Sequence, residues 1–339
     1  MKKLDHKEYA IIKCPGSDDL VIGIGPFTEA AEHPVSGVAF YVNDFYLSDP
    51  KPWKIPSSYH TFDASFVEGY AAAEVEWEET NPKGFADVFA EINEAIQRGM
   101  IEKSVPVCAE KGRLVRGDME SVLSKLLSSH EDFYGYAWVQ GDRGFAGLTP
   151  ELLFHLRKGR FKTMALAGTA KADERTIFVY DEKEIREHEY VAQTLVASLS
   201  DIGMVKRSAR EVMDLGNLVH FHTPIEVFMY GDQPIDYLMR KMHPTPALGP
   251  HPRTKESLDQ LRAWRERLDA PAYFGAPFGL YKEGEFHSIV AIRGLHWNGD
   301  RVTVPSGCGV IEASRLTNEW SELALKRSAV KQRFGIGNW

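Results

Sequence analysis

The chain has 339 residues, 43% hydrophobic and 11% aromatic, enough for a sizeable core and too apolar for intrinsic disorder. A formal net charge of -8 excludes a broad nucleic-acid footprint, which needs a basic stripe, but leaves room for a local basic pocket holding a small anion. Three scattered cysteines, Cys14, Cys108 and Cys308, have neither the spacing of a zinc site nor the even number of a disulfide framework.

In chain order, MKKLDHKEYA lacks the apolar stretch of a signal peptide, and no run of about 18 apolar residues offers a membrane span. The expectation is a soluble, cytoplasmic protein with neither membrane nor nucleic acid as partner. YAIIKC, LVIGIG and GVAFYV read as strands separated by Gly, Pro and Asp. The lone G-x-G of GIGPF lacks a third glycine and carries Pro26, so it reads as a strand edge and turn, not a dinucleotide loop.

FADVFAEINEAIQRG sets Phe85, Val88, Phe89, Ile92 and Ile96 at helical spacing and stops at Gly99. KSVPVCAEKGRLV is extended, with Lys103 at its start and Pro106 marking an edge or a bulge. MESVLSKLLSS is a short helix, FYGYAWVQG a strand, and LLFHLRKGRFKTMAL a hairpin turning at RKGR. Residues 181–199 are helical. Residues 272–310 form a strand meander with turns at KEGE and WNGD, followed by the loop EASRLT and a last helix starting near Asn318. Strands and helices come in runs without βαβ alternation, which favours an α+β fold with antiparallel sheets.

Two Glu-x-x-Glu pairs stand out, Glu184/Glu187 and Glu319/Glu322. On a helix, positions i and i+3 share a face, so each pair projects together, and Lys326 follows the second. Either pair alone is an ordinary solvated helix face. Together they suggest more. Apolar neighbours imply buried helices, and each pair follows a small-residue stretch, LAGTA at 166–170 or SGCG at 306–309, read as loops whose backbone N–H groups bind carboxylate oxygens. Four converging carboxylates repel without a cation, and an all-oxygen set suits a hard ion such as Mg²⁺. Arg293, Lys326 and Lys103 could hold an anionic substrate beside it.

The stretches EKSVPV, GLTPELLF, LAGTA, KEIREHEYV, LVHFHT, HPTPALG, AYFGAPFG, VAIRG and SGCGVIEASRLTNEWSELALK run in an order that resembles the chorismate-utilising enzymes. That family includes isochorismate, salicylate, anthranilate and aminodeoxychorismate synthases. The resemblance implies one catalytic domain over 1–339, with a variable part at 1–84 and a matched core at 85–330. The implied fold is α+β, two antiparallel sheets flanked by helices with the active site in the cleft between them. It assigns Glu187 and Glu322 as direct Mg²⁺ ligands, with Glu184 and Glu319 acting through water. Gly168, Thr169 and Lys326 would assist the metal at the ring carboxylate of chorismate. Tyr273, Arg293 and the Gly309 amide would bind the enolpyruvyl carboxylate. Lys103 matches the family's base and Glu151 its acid. His188 and His220 read as packed hydrogen-bonding residues rather than ligands.

Within the family, Lys103 implies water as nucleophile and no glutaminase subunit as partner. Ala167 stands where the aminodeoxychorismate type carries a lysine, and HPTPALG resembles the isochorismate synthase branch. The alternatives are a salicylate synthase, which goes on to eliminate pyruvate, or a catalytically silent chorismate-binding protein. Cys108, His222, Ser306 and Cys308 depart from the family pattern beside the expected substrate region.

Overall fold

The computed structural model describes residues 7–15, 19–63, 73–127, 133–216 and 218–337. Two large sheets face each other. One orders nine strands as Ser58–Asp63, Asp19–Ile24, Glu8–Lys13, Tyr134–Gln140, Arg143–Thr149, Gly294–Asn298, Arg301–Gly307, Val107–Arg116 and Glu74–Trp77. The other runs from Gly203–Arg207 through Leu218–Met229, Arg160–Lys171, Leu152–Arg157, Glu285–Val290, Pro277–Lys282 and Val38–Val42 to Trp53–Ile55 and Thr28–Ala30. Pairing is antiparallel.

The reason YAIIKC is apolar at successive positions is that both faces of its sheet are covered. Ala10 and Ile12 meet Phe40, Phe278 and Ile289 of the facing sheet, together with Tyr136, Trp138 and Phe145. Tyr9 and Ile11 point the opposite way, into a cluster closed by two helices, α2 (Met119–Leu127) and α7 (Leu316–Phe334). Helices α4 (Glu182–Leu199), α5 (Ile235–Met242) and α6 (Lys255–Arg267) cover the outer face of the second sheet through Val191, Leu195, Leu238, Met239 and Leu261. Helix α1 (Lys83–Gln97) buries Phe85, Val88, Phe89 and Ile92 against Trp264 and Leu323, and α3 (Arg175–Phe178) is a single turn before α4. This is the α+β arrangement of two antiparallel sheets flanked by helices.

Four local expectations change. LAGTA is not a loop: it lies within strand Arg160–Lys171, and the register shifts between Ala167 and Thr169 to leave Gly168 bulged at φ +77. A bulge re-aims backbone groups without ending the pairing, which is why small residues stand there. SGCG likewise begins inside strand Arg301–Gly307 and runs through Gly309 into the two-residue strand Val310–Ile311, which pairs with Lys103–Ser104. Pro106 occupies the break between Lys103–Ser104 and Val107–Arg116, and the latter is an interior strand. Helix α7 begins at Leu316, two residues before Asn318.

Candidate active site

A cavity opens where the ends of both sheets meet α4 and α7. It is lined by Glu151, Gly168, Thr169, Glu187, Arg293, Gly309, Glu322 and Lys326, eight of the expected site residues, and also by His220 and Phe274. Glu151 is delivered by the turn into strand Leu152–Arg157, Gly168 and Thr169 by the bulge, and Arg293 by the link before strand Gly294–Asn298. Arg293 holds φ +56, a left-handed conformation that is uncommon for a side-chain-bearing residue and tends to mark functional sites.

The two Glu-x-x-Glu pairs meet across α4 and α7. Asp181 caps α4, accepting from the Glu184 N–H, and so fixes the helix start that aims the first pair. Glu184 is held at both oxygens: Oε2 accepts from the Thr169 N–H at 2.7 Å and Oε1 from Lys183 Nζ at 2.7 Å. Glu187 Oε1 accepts from Lys103 Nζ at 3.0 Å, and Lys326 Nζ stands 2.6 Å from Glu322 Oε1. Glu319 is buried and its Oε2 has no hydrogen-bond partner. An orphaned buried carboxylate oxygen among three other carboxylates is what a divalent cation with oxygen ligands would satisfy, so the residues present fit Mg²⁺.

The pairs are not equivalent in position. Glu187 lines the cavity shared with Glu151 and Arg293, Glu184 and Glu319 line a second cavity, and Glu322 stands between the two and lines both. Burial raises the Glu184 carboxyl to about 7, with Glu187 adding to the shift, and burial also raises that of Glu319. Burial acts on Glu187 too, but Lys103 and Lys183 outweigh it and lower its pKa.

Burial pushes Glu151 up to about 7, against the smaller opposing pulls of Thr245, Lys103 and Arg293. A buried carboxyl that keeps its proton near neutrality is poised to donate it. Arg293 donates to Nε2 of His220. A guanidinium can only donate, so that nitrogen is the acceptor and the proton sits on Nδ1, which is 2.6 Å from the Gly168 carbonyl. Burial, with Arg293 adding to it, also holds His220 well below its usual pKa and hence neutral. Desolvation lowers Arg293 to about 10, a sign of how strongly its surroundings would favour an anionic ligand.

Two expected residues stand elsewhere. Lys103 does not line the cavity: at 1% exposure it lies beside Gly309, where an added Cβ would run into both Glu187 Oε1 and Lys103 Cε. Tyr273 is 37% exposed and stacks on Phe145 at 4.9 Å, and Phe274 lines the cavity in its place. In the turn Pro271–Phe274 the more apolar ring goes inward, and Tyr273 is not among the residues lining the cavity. His188 is a packed residue as expected, bonded to Thr223 Oγ1 at 2.8 Å. Sequence reasoning missed the cavity role of His220, and it missed Lys183 and Thr245 altogether. LVHFHT and KEIREHEYV had both been singled out, but nothing in their spacing says which residue turns inward.

Residues 58–335 match the family described as chorismate binding enzyme. The chain is similar to the salicylate biosynthesis isochorismate synthase of Pseudomonas aeruginosa, 31% identical over 229 residues, covering 64% of this chain and 48% of that protein. It is also similar to isochorismate synthase MenF of Bacillus subtilis, 30% identical over 223 residues, covering 61% and 46% respectively. The matches thus span about half the length of these relatives. The solved structure of MenF, the menaquinone-specific isochorismate synthase from Escherichia coli, superposes with a TM-score of 0.82 at 15% identity, covering 97% of this chain and 90% of that one.

Proposed function

The chain belongs to the chorismate binding enzyme family, and from that membership we propose that it is an isochorismate synthase, a Mg²⁺-dependent isomerase that moves a hydroxyl group of chorismate from C4 to C2. The observation that carries the reading is one cavity bringing together a buried Glu151 whose carboxyl is raised to about 7, a buried Arg293 and the carboxylates Glu187 and Glu322. The curated relatives named isochorismate synthase support it.

Charge balance supports the same ligand pair. Lys103, Lys183, Arg293 and Lys326 offset Glu184, Glu187, Glu319 and Glu322, while Glu151 is neutral when protonated. A divalent cation and a dicarboxylate substrate together add no net charge, so the site can bury both without an uncompensated ion. Glu187 and Glu322 would hold the metal from the substrate side, with Glu184 and Glu319 acting through water. Bound there, Mg²⁺ would offset and orient the ring carboxylate. Gly168, Thr169 and Lys326 would bind the same carboxylate, and Arg293 and the Gly309 amide the enolpyruvyl carboxylate.

The reaction adds water at C2 and expels the C4 hydroxyl as the double bonds shift. Lys103 would take the proton from the incoming water, for which the ammonium that now donates to Glu187 must first lose a proton to solvent and become the neutral amine. Glu151 would give its proton to the departing hydroxyl, so water enters, water leaves and the product is an isomer. Water as nucleophile needs no glutaminase subunit.

Incubation with chorismate and Mg²⁺, with the products separated by chromatography, tests the reading. Isochorismate should accumulate, EDTA should abolish turnover and added Mg²⁺ should restore it. Stoichiometric salicylate and pyruvate would favour the salicylate synthase alternative, and turnover in metal-free buffer would refute the metal assignment.

A further inference from the structure

Lys183 has no part in the chemistry above, yet its ammonium stands where three carboxylates converge. Nζ lies 2.7 Å from Glu184 Oε1, 3.5 Å from Glu319 Oε1 and 3.8 Å from Glu187 Oε2. The placement runs against helix electrostatics. Lys183 is in the first turn of α4, where the positive end of the helix dipole disfavours a cation, so only the carboxylates hold it there. Burial opposes its charge as well, and Glu187, Glu184, Glu319 and Glu322 together override both.

Of these three carboxylates, Glu187 is assigned to touch the divalent ion directly and Glu184 and Glu319 to hold it through water. Two cations cannot share them at contact distance in a buried site. Lys183 also lines the second cavity, of about 450 Å³, with Glu184, Glu319 and Arg315; Glu151 and Arg293 do not line it, and it shares Thr169 and Glu322 with the first. That cavity gives the cluster an approach that neither Glu151 nor Arg293 lines.

We propose that Lys183 is a resident counter-cation of the four carboxylates, which a divalent ion arriving through this second cavity must displace. It neutralises the cluster when no metal is bound and sets how tightly metal binds when it arrives. In the loaded site the lysine withdraws toward the second cavity and releases Glu184 Oε1, while the Thr169 N–H keeps Glu184 Oε2 oriented.

The inference rests on the metal reading above, and calorimetric titration of the ion-free full chain with MgCl₂ at pH 8 separates the two. Lys183→Met should bind Mg²⁺ about tenfold more tightly than the wild type, the scale of one charge-assisted contact removed from the competing state. Its ion-free melting temperature should fall, and saturating MgCl₂ should restore it. Lys183→Arg, which keeps the charge, should bind Mg²⁺ with an affinity close to that of the wild type. Unchanged or weaker Mg²⁺ binding by Lys183→Met overturns the inference while leaving the metal reading intact. Absence of Mg²⁺ binding in both wild type and Lys183→Met overturns the metal reading and this inference with it. If Lys183→Met does not fold, Lys183→Gln carries the same test with a polar side chain.

Discussion

Glu151 is the residue on which the proposed chemistry turns, and its environment makes opposite demands on activity and stability. As an acid it must carry its proton, so turnover should fall as pH rises through about 7, the value to which burial lifts it. Glu151→Gln should bind chorismate but lose activity by about 10² to 10⁴, the usual contribution of a positioned general acid. Stability runs the other way. The folded pKa lies above the ordinary 4.5, so the wild type is most favoured below pH 4.5 and loses stability as pH rises toward 7. That loss is on the order of 3 kcal/mol. Glu151→Gln should therefore melt higher than the wild type at pH 8 but not at pH 4, a comparison that thermal denaturation checks directly. Tyr273 shows the limit of reasoning one residue at a time. Its neighbour Phe274 took the inward position, because in a turn the choice between adjacent aromatic rings is made by the packing on either side.

At the scale of elements, the bulge in strand Arg160–Lys171 does work that a loop would do less rigidly. Gly168 sits at φ +77, and an added Cβ would come within 3.0 Å of the Glu184 carbonyl oxygen. Only glycine lets the strand approach α4 closely enough for the Thr169 N–H to reach Glu184 Oε2. Gly168→Ala should cost about 1–2 kcal/mol from the left-handed backbone alone. It should also push the start of α4 outward, weakening Mg²⁺ binding in titration calorimetry more than it lowers the melting temperature. Helix α4 itself was legible from its helical pattern and apolar face. That Glu184 and Glu187 were buried beneath it, among cations supplied by α7 and strand Lys103–Ser104, was not, since i, i+3 spacing gives a shared face and no direction.

At the scale of the whole molecule, the cavity is placed by the packing of one sheet on the other. Phe278 is fully buried between them, against Phe40, Tyr136 and Phe145. Phe278→Ala should cost about 3–5 kcal/mol. Near- and far-UV dichroism followed in urea should report one coincident transition shifted to lower denaturant, because the two sheets share this layer. Two separate transitions would mean that the sheets fold independently. Among the described residues no helix is long and apolar enough to cross a membrane.

The sequence by itself determined the elements that depend on local pattern: the α+β class, α1 and α4, the hairpin at RKGR and the final meander. It also determined the chemical inventory, because two Glu-x-x-Glu pairs and nine ordered motifs are properties of residue type and spacing. The tertiary structure decided direction and company. It turned Glu187 toward one cavity and Glu184 and Glu319 toward another with Glu322 between the two, seated Lys183 among them and left Tyr273 outside the cavity lining. It also aimed Arg293 at Nε2 of His220, which leaves the His220 proton on Nδ1 facing the Gly168 carbonyl. These outcomes rest on burial and on charges contributed by residues distant along the chain, such as Lys103 with Glu187 and Arg293 with His220, which no local window contains.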